Sequence, residues 1–67
     1  MSSTNDFVNR IVEATDAGEW SQAIDVWNEM TEKYLENDDG ESIRQVYGGV
    51  SAYGINMSEV LKRALDK

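Results

Sequence analysis

Apolar residues along this chain recur at intervals of three and four, with polar residues on the other side of the same turns. That is the period of an α-helix, and it predicts an all-α protein. Residues 4–17 place Phe7, Val8, Ile11, Val12 and Ala14 on one side, with Ser3, Thr4 or Asn5 available as N-cap. Gly18 then stands where a left-handed residue closes a helix. Residues 20–36 carry the clearest stripe, with Trp20, Ala23, Ile24, Trp27, Met30, Thr31, Tyr34 and Leu35 following one another at about 100° per residue. Asp25, Glu29, Glu32 and Glu36 fall on the opposite side of that helix.

Asn37-Asp38-Asp39-Gly40 is a turn by composition, and residues 41–53 resume the helical spacing with Ile43, Val46, Tyr47, Val50 and Tyr53. Gly48-Gly49 lies inside this pattern at roughly 1 kcal/mol per glycine relative to alanine. Two readings follow: the helix is interrupted there, or another backbone approaches closely. Gly54-Ile55 has the form of a helix stop whose following apolar residue packs back. Asn56 and Glu59 have the spacing of an N-cap and its partner three residues on, and Ile55 and Val60 that of a hydrophobic staple. A last helix over 57–66 has Met57, Val60, Leu61, Ala64 and Leu65 as its core face. Lys62, Arg63 and Lys67 suit the negative end of its dipole. Together these elements predict a single helical domain over residues 1–67, a small bundle of three to four helices arranged as two antiparallel helical hairpins.

Residues 17–30, Ala-Gly-Glu-Trp-Ser-Gln-Ala-Ile-Asp-Val-Trp-Asn-Glu-Met, resemble the turn and second helix of a tetratricopeptide or pentatricopeptide repeat. Gly18, Trp20, Ala23 and Trp27 match the turn glycine, the aromatic, the small contact residue and the second aromatic of that pattern. Arg10 and Ile11 depart from it, no proline closes the unit, and Glu59 stands where a second repeat would carry alanine. The resemblance implies a helical adaptor that holds a partner peptide or helix.

A chain of 67 residues buries only about 60% of the surface its unfolded form exposes. With no cysteine and no histidine, neither disulfides nor the usual zinc ligands supplement that core. Packing, capping or assembly must suffice, and completion of the core by a second copy is one expectation. The same two absences remove the commonest general base and the commonest low-pKa nucleophile, so an enzyme is not expected, nor a cofactor. Asn37-Asp38-Asp39-Gly40 fails as a calcium loop: with Gly40 at the sixth position, Leu35 and Val46 fall where carboxylates are required. Gly48 to Gly54 lacks the lysine and hydroxyl of a phosphate loop.

The formal charge is −7, and it is unevenly placed. Ten acids stand between Glu13 and Glu41 against a single base, Lys33. Direct nucleic-acid binding is not expected, because phosphate neutralisation needs clustered Lys and Arg, and anionic membranes are disfavoured for the same reason. The N-terminal residues lack the features of a secretory signal and no stretch approaches a membrane span, so a cytoplasmic protein is expected. Asp25, Glu29, Glu32 and Glu36, extended by Asp38, Asp39 and Glu41, form the candidate partner-binding residues. Neighbours in the row are ~5–6 Å apart, comparable with successive phosphates along a nucleic-acid strand. The expected function is therefore a small acidic inhibitor, or nucleic-acid-mimicking decoy, that presents this face to a basic, nucleic-acid-handling protein. The small acidic proteins that phages direct against restriction or CRISPR machinery are the analogy. The alternatives are the helical adaptor above, an assembly subunit, or an acidic face that serves solubility alone.

Overall fold

The computed structural model describes residues 3–66. Four helices follow one another: α1 (Ser3–Asp16), α2 (Trp20–Glu36), α3 (Gly40–Ala52) and α4 (Met57–Leu65), with no strand among the described residues. The all-α bundle anticipated from the apolar period is the fold observed, and each boundary falls within about one residue of its expected place. Ser3, Thr4 and Asn5, considered above as caps, lie inside the first turn of α1. Lys67 lies outside the described residues.

All three reversals close in the same way. The residue after the cap is left-handed, Gly18 at φ 73°, Asp38 at φ 53° and Gly54 at φ 78°. In each turn the next amide reaches back to the helix: Glu19 N–H donates to Ala14 O, Asp39 N–H to Tyr34 O and Ile55 N–H to Val50 O. The left-handed residues donate to Thr15, Leu35 and Ser51. These paired bonds satisfy carbonyls that the helix ends would otherwise leave open. On the outgoing side, Asp39 caps α3 by accepting from Ser42 N–H, and Asn56 caps α4 by accepting from Ser58 N–H and Glu59 N–H. Glu19, at the start of α2, makes no side-chain capping bond.

α2 is the centre of the bundle and packs against α1, α3 and α4, while α3 also lies across α1. α3 and α4 rest on the first hairpin more than on each other. The core is drawn from all four helices: Phe7, Val8, Ile11 and Ala14 of α1, Ala23, Val26, Met30 and Tyr34 of α2, Val46 and Val50 of α3, and Val60 of α4. Phe7 meets the Tyr34 ring edge-on at 5.8 Å. Trp20, Ile24 and Trp27 are half-buried against this core.

Four side chains depart from the sequence reading. Val26, outside the anticipated stripe, is fully buried, whereas Leu35, at its edge, is 67% exposed. The α1 contact turns α2 so that the centre of its covered arc is Ala23, Val26, Met30 and Tyr34. Leu61 and Leu65, assigned to the core face of α4, are 45% and 77% exposed, because among the described helices only α2 packs closely on α4.

The glycine pair is settled too. α3 runs unbroken through Gly48 and Gly49, and the close approach is made by a side chain of α1, not by backbone. A β-carbon on Gly49 would stand 2.6 Å from Val8 Cγ2, whereas one on Gly48 would meet nothing within 4 Å.

Candidate interaction surface

Because α2 is covered on three flanks, one side of it faces solvent. Asp25, Glu29, Glu32 and Glu36 are all exposed there and span an arc of about 60° on the helix, roughly opposite Trp27. The four do not share one electrostatic environment. Arg10 of α1 reaches across the hairpin to Glu29, with Nη2 donating to Oε1 at 2.9 Å and Nη1 to Oε2 at 3.3 Å. Those hydrogen bonds, then the guanidinium charge, hold the Glu29 carboxyl below its ordinary range and push the Arg10 guanidinium above its own. The Arg10 guanidinium also lies 5.5 Å from the centre of the Phe7 ring, which fixes its direction. Glu29 is thus a tie between α1 and α2, and among the described residues it is the one member of the row in an ion pair.

The remaining candidates divide by what the backbone asks of them. Asp39 is half-buried and accepts from Ser42 N–H at 3.1 Å and Ser42 Oγ at 2.6 Å, so capping α3 occupies its carboxylate. Asp38 holds the left-handed turn position with its side chain in solvent. Glu41 lies in the first turn of α3, where negative charge is favoured by the helix dipole. The structure therefore places Asp25, Glu32 and Glu36 on one open ridge, Asp38 and Glu41 at the end where α2 passes into α3, and Glu29 and Asp39 in structural duty beside them. Among the described residues no three acids are grouped closely enough to hold a metal ion.

A second feature adjoins the ridge. Ile24, Trp27 and Asn28 of α2 face Met57, Ser58 and Leu61 of α4 across a groove of about 310 Å³. Tyr47 of α3, 57% exposed, extends its apolar wall, with its ring 6.4 Å from Trp27 at an interplanar angle of 67°. The sequence held a signal for this groove: the apolar arcs of α2 and α4 are wider than a single helix contact can cover. A larger, polar depression of about 530 Å³ lies between the start of α2 and the end of α4. There Arg63 stands 5.0 Å over the Trp20 ring and pairs with Glu59 at 3.4 Å.

No helix among the described residues is long and apolar enough to cross a membrane. Comparison with known proteins returns no match, whether to a family model, a curated protein or a solved structure.

Proposed function

We propose that this chain is a small acidic binding protein, an inhibitor or nucleic-acid-mimicking decoy, whose α2 ridge engages a basic protein that handles nucleic acid. One observation carries the reading. Asp25, Glu32 and Glu36 stand exposed on one strip of a helix packed against three neighbours, with Glu32 and Glu36 one turn apart and Asp25 two turns before Glu32, so the packing holds the three carboxylates on one side of the molecule. Like charges one turn apart, as at Glu32 and Glu36, cost a few tenths of a kcal/mol, and a cationic surface relieves that cost on contact. Long-range attraction from the −7 charge raises the encounter rate with such a surface. The protein does no chemistry of its own in this reading, and its partner class places it in the cytoplasm.

The test is retention of proteins from a cell lysate at low and high salt, followed by displacement of a labelled duplex from each retained protein. Salt-sensitive capture and duplex displacement are expected for the wild type. Both are lost when Asp25, Glu32 and Glu36 are replaced together by lysine, with the helical circular dichroism unchanged. Capture that survives high salt and this charge reversal overturns the reading.

A further inference from the structure

We infer that the groove between α2 and α4 is a docking site for a basic amphipathic helix of a partner protein, with the acidic ridge as its charged rim. The inference rests on the ridge reading above and names the shape of what the ridge engages. Ile24 and Asn28 stand one turn, about 6 Å, apart on the edge of α2 that lines the groove, and Thr31 and Leu35 continue that edge beyond it. Across from Ile24 and Asn28, Met57 and Leu61 present an apolar row on α4, and Leu61 and, beyond the groove, Leu35 leave about half or more of their surfaces in water. A groove of one turn, walled by Ile24, Trp27, Met57 and Leu61, takes one turn of an incoming helix whose leucines are spaced at three and four.

Charge decides which helix. Asn28 lines the groove, and its neighbours on the helix surface are Asp25, three residues before it, and Glu32, four after it. An incoming helix therefore lays its apolar face between α2 and α4 and sets one flank against those carboxylates. That flank must be cationic. On the far rim Ser58 is followed one turn later by Lys62, so the two rims differ in sign and the asymmetry sets the direction in which the helix lies. A second copy of this chain would bring its own −7 charge against the same rim, which disfavours self-association there.

The experiment uses two synthetic peptides of about fourteen residues with identical composition. In one, leucines recur at three and four with lysines along one flank. In the other the same residues are scrambled. Titration into the labelled full chain, read by amide chemical shifts, should show the patterned peptide binding at least about tenfold tighter, with shifts at Asn28, Ser58 and Leu61. Leu61→Ser should weaken it about tenfold or more, and so should Asp25→Asn with Glu32→Gln, which also flattens the salt dependence. Asn28→Tyr, which crowds the groove from an exposed position, gives an independent block if Leu61→Ser loses helical structure. Equal binding of both peptides, unchanged by the groove variants, overturns the docking inference and leaves the ridge reading standing. Binding of neither at low salt overturns both. A concentration-dependent dimer that protects the Leu61 amide assigns the groove to a second copy and overturns the inference.

Discussion

Two adjacent glycines in α3 should respond in opposite directions to the same substitution. Gly48→Ala places a methyl group in open space, so it receives the full helix-propensity gain of about 1 kcal/mol. For a domain of this size that raises the melting temperature by roughly 4–8 °C. Gly49→Ala receives the same gain but drives its β-carbon to 2.6 Å from Val8 Cγ2 and 3.3 Å from Cγ1, inside the ordinary carbon contact of about 3.5–4.0 Å. Val8 is buried, and as a β-branched residue in a helix it has one strongly preferred rotamer, so the strain must be met by separating α1 from α3. Overpacking of this kind costs about 1–3 kcal/mol. Gly49→Ala should consequently melt below Gly48→Ala by that amount and at or below the wild type. Thermal and urea melts of the two variants, together with Val8→Ala alone and in the Gly49→Ala background, complete the measurement. Val8→Ala should be better tolerated when Gly49 is alanine, a positive coupling between touching residues. If Gly49→Ala stabilises as much as Gly48→Ala, α1 and α3 are not packed at this distance and the account of the glycine pair fails.

Tyr34 supplies a second prediction: its hydroxyl is buried and finds no hydrogen-bond partner among the described residues, so Tyr34→Phe should raise stability by about 1 kcal/mol in a urea titration, and a loss instead would show that the hydroxyl is bonded. Glu29 has a lowered folded-state pKa, so its contribution is present above the ordinary carboxylate range and disappears as pH falls through the folded value. Glu29→Gln should then melt lower than the wild type at neutral pH and match it in acid; a gap that persists in acid would separate the effect from ionisation. Asp38 occupies a left-handed position that glycine fills in the other two turns, and Asp38→Gly should therefore stabilise by up to ~1 kcal/mol in the same melts. A loss of stability would mean that the aspartate side chain supports the turn.

Element positions were legible because the signals that end helices are local. Gly18 and Gly54 mark their turns by conformation alone, and Asn56 is followed at the right spacing by the amides it caps. What lay beyond the sequence was which part of each apolar arc would be covered. Val26 and Leu35 flank the α2 stripe on opposite sides, and only the position of α1 decides that the first is buried and the second exposed. Gly48 and Gly49 are indistinguishable until Val8 is found against one of them. The acidic site was legible as charge and illegible as chemistry. Asp39 reads as one more carboxylate, although its distance from Ser42 is that of a cap, and Glu29 meets Arg10 across nineteen residues of sequence. No periodicity encodes that contact.

The central position of α2 separates two jobs that small proteins usually force onto the same residues. Its inward arc specifies the architecture, and among the described residues its outward strip is exposed and joined to a neighbouring helix by the Arg10 ion pair. Residues 25, 32 and 36 can therefore be exchanged without re-solving the interior, since surface changes away from packed features alter stability by only about 0.5 kcal/mol. A stiff rod anchored along its length also loses little freedom when something lands on it. The scaffold is accordingly suited to carrying a library of surface strips, each selected for a different target, on one unchanged frame.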